Sequence, residues 1–129
     1  MKKIFLISLL LFISCKEEDK KTSTALKKLS TNQDTKINSS INGKKIFNGV
    51  CATCHLYGTG GGITLNDKKS WTQIYKTKNI EVIYNNVLNG FNSKTGIMPR
   101  KGGCISCTDQ DVIDAVDFIF SINDIHVTN

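Results

Sequence analysis

Cys51-Ala52-Thr53-Cys54-His55 is the stretch on which the reading of this chain turns. On a helix, side chains three positions apart share a face, so the two thiols stand about one turn apart and the next residue sets an imidazole beside them. That spacing suits one chemistry closely. Both sulfurs can add to the two vinyl groups along one edge of a porphyrin while the imidazole meets the iron, which is how c-type haem is attached. A second C-x-x-C, Cys104/Cys107, has no histidine after it. Two other readings of these cysteines compete. Taken together, the pairs have the composition of a four-cysteine zinc site. Residues 55–103 lie between them, however, against roughly 15–20 residues in a zinc ribbon, and His55 would be surplus. Taken singly, a pair is a thiol–disulfide redox centre, which expects a βαβ pattern that this chain lacks. The expected cofactor is therefore one covalent haem c on Cys51 and Cys54, with His55 as the proximal iron ligand.

Around the pentapeptide the apolar periodicity is helical, with no convincing alternating run. Ser39-Ser40 is read as the cap of a first helix that passes Gly43, Ile46, Phe47 and Val50 at i, i+3, i+4, i+7 spacing and enters the cysteines. Tyr57 to Gly62 holds four glycines in six residues and is read as a loop able to lie close to the cofactor. Lys68 to Lys76, carrying Trp71 and Ile74, predicts a short helix. Asn79 caps the next, Ile80 to Asn89, which Gly90 ends. Thr108 with Asp111 is a capping box with the shorter acid. In the helix it opens, Val112, Ile113, Val116, Ile119 and Phe120 are expected to face inward, and Asp109, Asp111, Asp114 and Asp117 to face water or the helix N-terminus.

The N-terminus reads as an address. Lys2-Lys3, the apolar run Ile4 to Ile13 and the small residue Ser14 before Cys15 form a signal sequence, and the apolar run is too short to span a bilayer comfortably. Cys15 resembles the lipidated cysteine of a bacterial lipobox, with Phe12 where that box usually has leucine. The other reading is an ordinary cleaved signal with an incidental cysteine. Either one exports the protein. Lipidation of Cys15 would also remove the oddity of five cysteines in an exported chain. Residues 1–14 are thus expected to be the signal peptide. Residues 15–38, whose apolar side chains after Cys15 are Ala25, Leu26, Leu29 and Ile37, are expected to be a solvated, flexible tether. The folded part is then residues 39–129.

With 129 residues the chain has room for one such domain. Its net charge of +6 is unevenly spread. Between residues 39 and 101 nine lysines and arginines face two acidic residues, whereas residues 102–129 hold five aspartates and no lysine or arginine. Such polarity suits steering toward an acidic protein partner. An exported chain with no basic helix or aromatic platform is not expected to bind nucleic acid.

The folded region resembles the class I cytochromes c, and within them the cytochrome c5 group. The resemblance is carried by Gly43 and Phe47 before the haem motif, Trp71, Gly90, the run Gly96-Ile97-Met98-Pro99-Arg100-Lys101-Gly102-Gly103, the cysteine pair after it, and Thr108-Asp109 leading to Ala115-Val116-Asp117-Phe118. It implies an all-α fold wrapped around one haem, with the first and last helices crossing near Gly43 and Phe118. It implies that Met98 supplies the sixth iron ligand and that Cys104 and Cys107 are joined in a disulfide. Closing a loop of four residues would contribute about 1.9 kcal/mol by the chain-entropy relation. A metal or redox role for that pair is the alternative. Ile63 stands about where the family often has a proline whose carbonyl holds the ligand histidine; a main-chain carbonyl can still serve there.

Elimination points to the same methionine. Met1 leaves with the signal, and His126 lies three residues from the C-terminus, where chains usually fray. With His55 and Met98 both on iron, no open position remains. That favours a monomeric electron carrier of fairly positive potential over an enzyme, working between extracytoplasmic respiratory redox proteins and held to a membrane by its lipid. A haem-bearing accessory or sensor subunit of a larger oxidoreductase is the alternative.

Overall fold

The computed structural model describes residues 19–127, with side chains from residue 33. The signal sequence and Cys15 lie outside the described residues. The chain divides into two compact units, Met1–Gln33 and Asp34–Asn129. In the first, every described residue is helical.

Helix α1 runs from Asp19 to Ile46, so Ser39 and Ser40 lie inside it and do not cap it. Much of the segment expected to be a flexible tether is accordingly helical. The physical reason is local. No proline interrupts the backbone ladder, and alanine, leucine, lysine and glutamine are good helix formers even without a buried face. Residues 33–38 remain exposed, in keeping with their polar composition.

After Ile46 the hydrogen bonding widens to a π segment, Phe47–Cys51, which hands the chain to α2, Ala52–His55. A glycine-rich loop with left-handed backbone at Gly58, Gly60 and Gly61 leads to α3, Lys68–Thr77, whose N-cap Asp67 accepts from the Ser70 N–H. Helix α4, Ile80–Asn89, has Asn79 as N-cap and ends at Gly90, where φ is 88°. Two short antiparallel strands follow, β1 (Phe91–Asn92) and β2 (Ile97–Met98), with Phe91 opposite Met98. No strand was expected from sequence, because two residues are too few to show an alternation. A tight turn at Arg100–Gly103 and the Cys104–Cys107 disulfide lead into α5, Asp109–Ile122, opened by the Thr108/Asp111 capping box.

Helices α1 and α5 cross at Gly43. A Cβ there would overlap the Asp114 carbonyl and come within 3.0 Å of the Phe118 Cβ. Beside the crossing, the Phe47 and Phe118 rings meet at a tilt of 52°, with centroids 5.6 Å apart. Phe47, Trp71, Ile83, Val116, Ile119 and Phe120 make up most of the core. Three expectations for α5 need correction. Asp117 does not simply face water: it is half-buried and accepts from Tyr84 Oη at 2.6 Å, a bond between α4 and α5 that its place on the helix could not show. Ile113 is only half-buried, and Asp114 does not face water but is 5% exposed at the crossing. Its carboxylate accepts from Ser39 Oγ (2.7 Å), Asn42 Nδ2 (2.8 Å) and Gln110 Nε2 (2.9 Å). Three neutral donors replace the water it gives up. Nor is the C-terminal segment loose around His126. Ile125 is buried, Asn123 donates to the Leu65 and Ile119 carbonyls, and the His126 carbonyl accepts from Tyr75 at 3.2 Å.

Candidate haem site

His55 ends α2, and the glycine loop folds back so that its imidazole Nδ1 meets the Ile63 carbonyl at 2.7 Å. A carbonyl only accepts, so Nδ1 carries the proton and Nε2 keeps its lone pair for a metal. The loop is held on both sides. The Leu65 N–H donates to the His55 carbonyl at 2.6 Å, and Trp71 Nε1 donates to the Thr64 carbonyl at 2.9 Å while its ring lies 5.6 Å from the imidazole. The bond is made by backbone and so needs no particular side chain at residue 63. Gly62 lets this happen: a Cβ there would press on the Cys54 carbonyl at 3.1 Å.

Cys51 and Cys54 are both half-buried, and neither is in a disulfide. Burial pushes the Cys51 thiol up from its ordinary value, the opposite of what a nucleophilic redox thiolate needs. Cys104 and Cys107 are bonded to each other, so the four sulfurs cannot form a zinc site. Among the described residues no group of three or more His, Cys, Asp or Glu side chains could hold a metal ion.

Cys51, His55 and Met98 share one crevice, whose other walls come from Trp71, Ile83 and Val87 and from Val112, Ala115, Val116 and Ile119 of α5. Met98 reaches it from β2. Pro99 fixes the exit of the chain, and Gly90 allows the Met98 carbonyl to approach within 3.1 Å of where a Cβ would be. His126 is not among the lining residues and its side chain is exposed. Cys54 adjoins His55 in sequence but is not among the lining residues. An apolar slot with a nitrogen donor, a thioether and the Cys51 thiol on its walls suits covalent haem: apolar walls for the macrocycle, thiols for thioether bonds, and soft and imidazole donors for iron.

Sequence reasoning did not find the Thr64 carbonyl, the Tyr84–Asp117 hydrogen bond of 2.6 Å between α4 and α5, or the Lys101 contacts described below. A carbonyl has no sequence identity, and pairings between distant residues leave no local pattern.

The family model described as "Cytochrome C oxidase, cbb3-type, subunit III" matches residues 40–119. Cytochrome c-555 of Chlorobaculum thiosulfatiphilum is 34% identical over 77 residues, which cover 60% of this chain and 88% of the relative. Cytochrome c-555 of Chlorobaculum tepidum (strain ATCC 49652 / DSM 12025 / NBRC 103806 / TLS) is 31% identical over 77 residues, 60% of this chain and 70% of the relative. With a mostly helical fold, this donor set and these matches, the chain belongs to the cytochrome c family as a class I c-type cytochrome, an electron-carrier family with one covalently bound haem c.

Proposed function

We propose that this chain is a monohaem one-electron carrier of the cytochrome c5 group, exported, anchored to a membrane by lipid on Cys15, and passing electrons between respiratory redox proteins as a monomer without catalysis of its own. Cys51 and Cys54 hold the haem through thioether bonds, and His55 and Met98 ligate its iron. The observation that carries the reading is the crevice that has both His55 and Met98 on its walls, with His55 Nδ1 already engaged by Ile63. When bound, haem supplies reversible one-electron chemistry at iron. The chain's residues do the rest. Ile63 fixes the tautomer and orientation of His55, residues of α5 and α4 wall the crevice with apolar side chains, and Met98 would hold the iron with its thioether. The lysines and arginine between residues 39 and 101 favour an acidic docking partner.

The N-terminal sequence supports export and lipidation, and the disulfide following Met98-Pro99-Arg100-Lys101-Gly102-Gly103 supports the cytochrome c5 assignment. Among the described residues no helix is long and apolar enough to cross a membrane. A second reading, a haem-bearing subunit of a larger oxidoreductase, is favoured by the oxidase-subunit description of the matching family model.

The test is expression of the full chain in a host that matures c-type cytochromes. The expected result is a membrane-extractable protein whose mass includes one haem and whose reduced spectrum has a sharp α-band, with Cys15→Ser released in soluble form. Copurification in fixed ratio with other redox subunits would favour the second reading. A peptide without haem at residues 51–55 would overturn both.

A further inference from the structure

Lys101 sits three residues after Met98 in a place where its backbone would be more comfortable as glycine. Its φ is 52°, the left-handed region, and the two residues that follow it there are glycines, at 62° and 90°. An L side chain kept in that region needs contacts that hold it. Lys101 has them. Its side chain is 15% exposed, and its ammonium donates to the Cys107 carbonyl at 2.9 Å and pairs with Asp109 Oδ1 at 2.7 Å.

These contacts join two parts of the site. On one side is the turn that starts at Pro99, closed by the Gly102 N–H on the Pro99 carbonyl at 2.9 Å and the Cys104 N–H on the Lys101 carbonyl at 3.1 Å. On the other is the first residue of α5, the helix that walls the crevice with Val112, Ala115 and Val116. We propose that Lys101 is a positioning residue: its ammonium ties the segment carrying Met98 to the start of α5, and so keeps the Met98 thioether presented to the crevice. This rests on Met98 being the sixth ligand. The disulfide alone does not make this tie, because it closes only residues 104–107, whereas the lysine reaches back across them to the turn directly after Pro99.

The experiment measures how firmly Met98 is held. Imidazole is titrated into the oxidised, full-length holoprotein while the near-infrared sulfur-to-iron band is followed. Lys101→Met is expected to bind imidazole about tenfold more tightly than the parent, from loss of charge-assisted hydrogen bonds, with Asp109→Asn in between. Lys101→Gly separates side chain from backbone. It relieves the left-handed strain yet removes the ammonium, and it is expected to bind imidazole as tightly as Lys101→Met. Parental imidazole affinity in Lys101→Met would overturn the proposal even if its melting temperature fell, because that marks a purely structural role. Parental affinity in Lys101→Gly would overturn it too. Should Lys101→Met not fold, Asp109→Asn decides, since its carboxylate is largely exposed; parental affinity there would overturn the proposal. A Met98→Ala holoprotein with the parent's spectrum would instead remove the ligand assignment itself, and this inference with it.

Discussion

The imidazole of His55 donates from Nδ1 to the backbone carbonyl of Ile63, 2.7 Å away and eight residues along the chain. Because main chain makes the bond, the identity of the side chain at residue 63 is free to vary so long as the loop keeps its path. Gly62 already has φ −66° and ψ 138°, the extended conformation that a following proline requires. Ile63→Pro is therefore expected to retain the parent's visible spectrum and to leave its potential unchanged. Redox titration of the two holoproteins checks this; a large fall in potential would mean that the carbonyl had moved.

Met98 and His55 face the same crevice from different segments of the chain. In the proposed reading, replacing Met98 with alanine removes the thioether that would favour reduced iron. The near-infrared sulfur-to-iron band is expected to disappear and the reduction potential to fall. Near-infrared absorption and a potentiometric titration read these two effects separately.

At the α1–α5 crossing a methyl group has nowhere to go. Gly43→Ala gains about 1 kcal/mol in helix propensity, but its Cβ would press on the backbone of Asp114, which cannot rotate away. Overpacking of this kind costs about 1–3 kcal/mol, so net destabilisation is expected in denaturant unfolding of the holoprotein. Gly49 offers the control. It has open space where a Cβ would stand, and Gly49→Ala is expected to leave the midpoint unchanged or raise it.

Burial pushes the Asp117 carboxyl above its ordinary range, although its hydrogen bond from Tyr84 pulls the other way. A raised carboxyl stabilises the fold fully below the unfolded value of about 3.9, and that contribution is lost as pH rises through the folded value. Asp67, Asp109, Asp111 and Asp124 behave oppositely. Ser70, Lys101, Asn42 and Lys68 respectively hold them low, so their contribution is present above the ordinary carboxylate range and disappears as pH falls. The stability of the parent minus that of Asp117→Asn is thus expected to decrease from pH 4 to pH 7. Urea midpoints at the two pH values measure it, and an increase would show that the Tyr84 bond outweighs burial.

Much of the site could be read from residues 51–55 and their neighbours, because attachment chemistry and helix capping are local. Two thiols and an imidazole at that spacing need no knowledge of the rest of the chain, and Asn79, Gly90 and Thr108 with Asp111 act within one turn of themselves. The place of Met98 on the crevice wall agrees with its being the one methionine among the described residues. The course of α1 was misjudged because weak propensity adds up over many residues without leaving an apolar stripe.

What the amino-acid sequence determined by itself is the chemistry of attachment, the helical segments after the haem motif, and the caps at Asn79, Gly90 and Thr108, since each depends on residues a few positions apart. Tertiary structure decided which carbonyl holds His55, why Asp114 is buried among Ser39, Asn42 and Gln110, and what Lys101 reaches. The first and third turn on how loops fold back, and the second on how closely two helices approach at Gly43. Period and propensity carry no information about where distant segments meet, because that is set by packing of the whole chain.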